Sequence, residues 1–308
     1  MGYDVDKSDL IEIHYDGEGE DIKAHLMSAT LVSSSVKAFD VLYKEAFYEA
    51  NKIFKSKYKT NTYIQGGFDE GSLKWLQKII SNQKEEQINI DDCSCKSKIT
   101  AAVSNALSIL LKIDENMPEI KIKESSEGYS VHINERECEP TDPLVCALLT
   151  NKKASKAISQ LVNPLSIDGI DTLTISDFNN AENTNSVIEI KKSEIKRFTR
   201  KSTNFSIVED GEFTGFYKVE DLSYNPQKAW KFISINKPSD NFTGIITDEY
   251  FWSEVSSNKQ RFGCEDVMDL VVFWKKERKS LTSKARTSYI VKSVKHYDRG
   301  NEIQCTMP

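Results

Sequence analysis

Between Ser28 and Phe54 the apolar residues fall at positions 32, 36, 39, 42, 43, 46, 47, 50, 53 and 54. This three-and-four spacing marks one helical face, held for about seven turns with no Pro or Gly inside it. So wide a stripe predicts burial against a sheet, and the flanking pattern supplies strands. Residues 9–15 alternate apolar and polar, as a half-buried strand does. Asp16-Gly17 reads as a turn, Asp21 to Met27 as the returning strand, and Tyr58 to Gln65 as a third strand. Gly66-Gly67 and Gly71 read as a loop or bulge. Ser72 then caps a helix through Leu73, Leu76, Ile79 and Ile80. Polar residues 82–96 read as a loop. Ser97 to Ile113 reads as an amphipathic helix, and Glu119–Glu124 with Tyr129–Ile133 as a hairpin around Glu127-Gly128. Asp142-Pro143 opens a helix through Val145, Cys146 and Leu149. Lys152 to Val162 forms another, ended near Pro164.

Asp177 to Ser186 has the composition of a linker. Beyond it the period changes to short strands at 204–208, 212–222, 229–235, 242–247, 267–275 and 288–296. Asp210-Gly211, Asn225-Pro226 and Pro238-Ser239-Asp240 read as turns between them, and 248–255 as a single helical turn. The fold class read from this pattern is α+β. A helix-on-antiparallel-sheet domain over residues 1–180 is followed by a small antiparallel β-barrel or sandwich over 187–308.

Composition divides the chain in the same way. Residues 1–185 carry a net charge of −10 and residues 186–308 a net of +4, so the two halves suit different partners. The chain has 308 residues, 39% of them hydrophobic and 29% charged, which describes a soluble globular protein of ordinary size for two domains. No apolar run approaches the ~18 residues that span a bilayer. The acidic start, Met1-Gly2-Tyr3-Asp4-Val5-Asp6, lacks the apolar core of a signal peptide, and Asp6 stands where a myristoylation motif wants Ser or Thr. The six cysteines (93, 95, 138, 146, 264 and 305) show no framework spacing, so reduced thiols in a cytoplasm are expected.

Candidate chemistry is sparse. The sequence has no phosphate loop, Rossmann glycine run, nucleophile elbow or zincin helix. Cys93-x-Cys95 beside Asp91 and Asp92 is an incomplete metal set, more simply two thiols in a loop. His14, His25, His132 and His296 lie in or beside strands with no partnered nucleophile in view. No cofactor or metal is expected. Two basic clusters stand out: Lys191, Lys192, Lys196, Arg197, Arg200 and Lys201, then Lys275, Lys276, Arg278, Lys279, Lys284 and Arg286. With Phe198, Phe205, Trp230 and Trp274 nearby they could track a nucleic-acid backbone; they also suit a solvated helix and hairpin tip. Adjacent rings such as Phe251-Trp252 and Phe273-Trp274 cannot both point inward from one strand, so some rings are expected on a contact surface. The partner-binding candidates are therefore Lys191, Lys192, Arg197, Arg200, Phe251, Trp252, Trp274, Lys275, Lys276 and Arg278.

A set of motifs resembles a known group. Ile13-His14-Tyr15-Asp16-Gly17 and Gly71-Ser72-Leu73 mark the first half. Phe213-Thr214-Gly215, Trp230-Lys231-Phe232, the run Phe242 to Phe251 and Phe262-Gly263-Cys264-Glu265-Asp266 mark the second. The chain looks like a bacterial and phage family, found in prophages and mobile islands. Its members join a Tyr-Asp-Gly…Gly-Ser-Phe α/β domain to a C-terminal small β-barrel. The resemblance spans roughly two thirds of the chain and departs at Leu73, where an aromatic is usual, and at Cys264-Glu265-Asp266, where Gly-Asp is expected. It implies no catalytic residue and a setting of phage–host conflict. The expected function is a non-catalytic, homo-oligomeric, cytoplasmic inhibitor that binds and encloses a bacterial defence complex. The alternatives are a nucleic-acid-binding accessory protein using the basic barrel, and an unrecognised hydrolase or nuclease using Asp91-Asp92 or Asp248-Glu249.

Overall fold

The computed structural model describes residues 8–23, 28–65, 73–83, 92–117, 119–134, 137–177, 187–201, 204–260, 262–263 and 266–297. The protein is α+β and forms two compact units, Met1–Ile207 with Lys279–Ser283, and Val208–Arg278 with Lys284–Pro308.

In the first unit, strands β1 (Ser8–Asp16), β2 (Tyr58–Gln65), β3 (Leu73–Gln83), β7 (Thr172–Asp177) and β8 (Val187–Lys191) form an antiparallel sheet in the order β2-β3-β1-β7-β8. One face buries Ile11, Ile13, Tyr15, Trp75, Ile79, Leu173, Ile175 and Ile190. Helix α2 (Ala29–Phe54) buries Ala38, Phe39, Leu42, Tyr43, Ala46, Phe47 and Ala50, the stripe expected from the spacing, in the same core, packed on β2 and on the helices over 143–150 and 152–162. Helix α1 (Glu20–Lys23) is one turn. Helices α3 (Asp92–Lys112), α4 (Pro143–Thr150), α5 (Lys152–Val162) and α6 (Ile195–Phe198) complete the unit, with the antiparallel strands β4 (Ile120–Ser125), β5 (Gly128–His132) and β6 (Cys138–Thr141). Asp142 caps α4 by accepting from the Leu144 and Val145 amides at 2.8 and 3.0 Å, with Pro143 in the first turn.

Four expectations change here. Glu20–Lys23 is helical, and β1 pairs with β3 and β7, so Asp21–Lys23 is not part of a returning strand; Ala24–Met27 lie outside the described residues. Residues 73–83 are a strand, not a helix. The inward set is Trp75, Gln77 and Ile79, and the polar Gln77 hides the alternation in sequence. The loop expected over 82–96 ends in α3, which begins at Asp92. The linker candidate starts where β7 ends, and β8, just beyond it, returns antiparallel to β7 in the same sheet; 178–186 lie outside the described residues.

Tyr15 is fully buried and donates to the Leu161 carbonyl at 2.6 Å. Burial pushes its phenol well above the ordinary tyrosine range. The folded state thus favours the neutral phenol. That contribution is complete below the unfolded value near 10 and is lost as pH rises above it. Tyr15→Phe is expected to lose about 1 kcal/mol at neutral pH and to flatten the decline above about pH 10. Urea titrations at pH 7 and 11 would check this, and an unchanged alkaline decline would remove Tyr15 as its source.

In the second unit, β9 (Phe205–Asp221), β10 (Trp230–Ser234), β11 (Phe242–Ile246), β12 (Val267–Arg278) and β13 (Arg286–Tyr297) close a barrel in the order β9-β10-β11-β13-β12-β9. β10 pairs antiparallel with β9 and β11, as β12 does with β13, whereas β11 and β13 are parallel. Helix α7 (Glu249–Ser256) bridges β11 and β12. This order, with the parallel pair and the helix between the third and fourth strands, is that of an OB-type barrel. Asp248 caps α7 through the Phe251 amide at 3.0 Å and uses its other oxygen on the Val294 amide at 2.9 Å, which ties the helix to β13. Asp210-Gly211 is not a turn, because β9 runs through it. A Cβ on Gly211 would lie 2.9 Å from the Trp274 indole nitrogen, so glycine there makes room for a ring. Trp230, Phe232, Phe242 and Phe251 fill the interior.

Candidate interaction surfaces

Asn51 sets the geometry of the first surface. Its Nδ2 donates to the Tyr58 carbonyl at 2.8 Å, and its Oδ1 accepts from the Tyr58 amide and the Ser56 hydroxyl, both at 2.9 Å. With Lys55 in the left-handed region (φ 53°), this turns the chain so that β2 comes back alongside α2. The buried stripe of α2 lies in the core of the unit. The next stripe, Ala29, Val32, Ser33, Val36, Lys37, Asp40 and Lys44, faces β2 across a groove of about 750 Å3, floored by Thr62, Ile64 and Gln77.

A hydrogen-bond chain runs from the core into this groove. The Trp75 indole donates to Gln77 Oε1 at 3.0 Å, Gln77 Nε2 donates to Thr62 Oγ1 at 3.1 Å, and the Thr62 hydroxyl donates to Asp40 Oδ1 at 2.6 Å. Lys44 completes it on Asp40 Oδ2 at 2.8 Å. The chain fixes Asp40 and satisfies the buried Gln77 amide, leaving Val32, Val36 and Ile64 as the apolar walls. Ile64 lies on the sheet's inner face yet is 42% exposed.

The first basic cluster is largely occupied within its own unit. Arg197 donates to the Leu111 carbonyl at the end of α3 and lies 3.5 Å from Glu194. Arg200 donates to the carbonyls of Met117 and, at 2.6 Å, Asp114. Lys192 meets Asp168 at 3.2 Å, and Lys191 is exposed, 3.8 Å from Glu189. In the barrel, Lys275 pairs with Glu277 and Lys276 with Glu209, both at 2.9 Å, and Arg278 is half-buried. The second unit as a whole holds 14 Lys and Arg against 15 Asp and Glu.

Phe251 is interior. Trp252 is half-buried with its N–H on the Ile246 carbonyl at 2.9 Å, and Trp274 is half-buried against Gly211. The large apolar side chains that the described part of this unit does expose are Tyr224, Ile235, Ile245 and Tyr250, of which the sequence reading named none as a site.

Asp248 has both carboxylate oxygens on backbone amides, which accounts for it structurally. Asp91 lies outside the described residues, as do the side chains of Asp92, Cys93 and Cys95 at the start of α3. His132 and Cys138 are cross-strand neighbours, 3.4 Å apart. Among the described residues no group of three or more His, Cys, Asp and Glu is placed to hold a metal ion, and no helix is long and apolar enough to cross a membrane.

Sequence reasoning could not find the groove, since residues 29–44 and 62–64 share a surface only through the turn that Asn51 makes. Comparison of the chain with protein-family models, curated proteins and solved structures gives no match.

Proposed function

We propose that the protein is a non-catalytic interaction protein of phage–host conflict, most concretely a phage-encoded inhibitor that binds and encloses a bacterial anti-phage defence complex in the host cytoplasm. The observation that supports the interaction reading is the groove between α2 and β2, which lies beside a strand at the end of its sheet. A helix facing a sheet edge across a partly apolar groove is a recurrent way to hold a segment of another protein. The phage–host setting comes from the motif resemblance. Enclosure of a target needs area and shape, and homo-oligomerisation would multiply both through avidity.

The test is phage plating on bacterial hosts that each carry one defence system, with and without the protein. Restored plating on at least one host is expected, together with a complex of defined stoichiometry from the purified components. Plating unchanged on every host would end this reading.

A second reading has one observation in its favour. OB-type barrels bind oligonucleotides through the face of their second and third strands, here β10 and β11. The charge balance weighs against it, and Lys231 on β10 is paired with Glu220. Anisotropy of a labelled single-stranded oligonucleotide at low salt is expected to show no binding. Binding that falls linearly with the logarithm of salt concentration would favour this reading instead.

A further inference from the structure

Strand β2 pairs with β3 through all eight residues, from Tyr58 opposite Gln83 to Gln65 opposite Leu76, with no bulge. No strand among the described residues pairs with its other side. Natural sheets blunt such edges with prolines, bulges or charges. β2 has no proline, no bulge and one charged residue, Lys59. Asn51 takes both backbone groups of Tyr58, and the N–H and C=O groups turned away from β3 beyond it are a template for a further strand.

The groove runs along the same edge. Ala29 to Lys44 spans about 22 Å of helix at ~1.5 Å per residue. At ~3.3 Å per residue that length holds about six or seven extended residues. A groove of about 750 Å3 also lies in the size range of ligand sites, large enough to take side chains as well as border a backbone.

We infer that the groove between α2 and β2 binds an extended acidic peptide. The peptide adds to β2 as a strand, lays alternate apolar side chains on Val32, Val36 and Ile64, and brings a carboxylate to Lys37 and Lys44. This rests on the interaction reading above and names the chemistry of the partner segment. Charge selects it. Asp40 is already held by Thr62 and Lys44, whereas Lys37 forms no hydrogen bond or ion pair with another described residue. Among the described residues the lining is therefore positive by one charge, and a basic peptide would set its cations against Lys37. A second copy's β2 would bring Lys59 and no carboxylate.

The probe is an array of hexapeptides with Leu, Ile or Val at alternate positions and either Asp/Glu or Lys/Arg between them, exposed to the full chain. Retention of the acidic set and not the basic set is expected, and a central proline in the peptide should abolish it. Ile64→Glu should weaken retention about tenfold or more, and Lys37→Glu should shift preference to the basic set. Both side chains are exposed, so the variants should fold, which circular dichroism would verify.

Failure to retain any acidic peptide would overturn the inference, as would retention indifferent to both substitutions. A dimer in light scattering that Ile64→Glu dissolves would give this edge to a second copy and overturn it equally. If peptides fail while plating is still restored, only this inference falls. If peptides bind and plating is unchanged, only the defence reading falls.

Discussion

Trp230→Ala is expected to destabilise the barrel by about 3–5 kcal/mol, the cost of deleting a large ring from a packed core. Trp230 is fully buried and has ring neighbours on several sides: Phe232 at 6.3 Å, Phe251 at 5.7 Å, Trp252 at 6.0 Å and Phe262 at 5.4 Å. Three of the four contacts are edge-on, the orientation that adds to area burial. The indole N–H also donates to the Ser223 carbonyl at 2.8 Å, which anchors the connection between β9 and β10. Trp230→Phe should keep most of the packing and lose this hydrogen bond, at about 1–2 kcal/mol. Guanidinium denaturation followed by near-ultraviolet dichroism would rank the two. A loss below about 1 kcal/mol for Trp230→Ala would mean that the aromatic cluster is not what holds the barrel together.

Gly169→Ala should be of similar weight, about 2–5 kcal/mol. Gly169 has φ +88°, a region that costs an L-residue about 1–2 kcal/mol. Its added Cβ would also lie 2.5 Å from the Gly19 Cα, a clash with backbone that adds about 1–3 kcal/mol. The two segments are bonded at this point. The Gly19 amide donates to the Gly169 carbonyl at 3.1 Å, the Asp171 amide to the Asp16 carbonyl at 2.8 Å, and the Glu18 amide to Asp171 Oδ2 at 3.1 Å. A Cβ on Gly17 would meet the Gly169 carbonyl oxygen, so the glycine of the Tyr15-Asp16-Gly17 motif has a packing reason. Thermal melting of Gly169→Ala beside Asp168→Ala, which alters only an exposed pair with Lys192, separates this crowding from general loop sensitivity. Equal melting temperatures would refute it.

What the sequence disclosed follows the strength of each local signal. Helix α2 was readable because its apolar spacing survives over 26 residues, and α4 because Asp142 and Pro143 carry capping chemistry. Strand β3 was masked by Gln77, a polar residue that can face inward because Trp75 and Thr62 satisfy it. Strand β9 was cut in two on paper by Gly211, whose role is steric. Strands β7 and β8 do alternate apolar and polar residues, but each is only five or six residues long, and their pairing is what identifies them. The basic residues near 191–201 were visible as charge. That Arg197 and Arg200 turn to carbonyl groups at and beyond the end of α3 depends on contacts more than 80 positions away in the chain.

The parallel pairing of β11 with β13 bears on how fast the barrel can form. Gly244 must find Tyr289 past α7 and β12, and β9 must find β12 past β10, β11 and α7, before closure is rewarded. Such high contact order places refolding on the order of milliseconds to seconds, far slower than any of its helices. Meanwhile Val267–Trp274, which reads Val-Met-Asp-Leu-Val-Val-Phe-Trp with a single charge, waits unpaired. Recovery from denaturant should therefore fall steeply as protein concentration rises, with β12 as the segment through which chains first stick together.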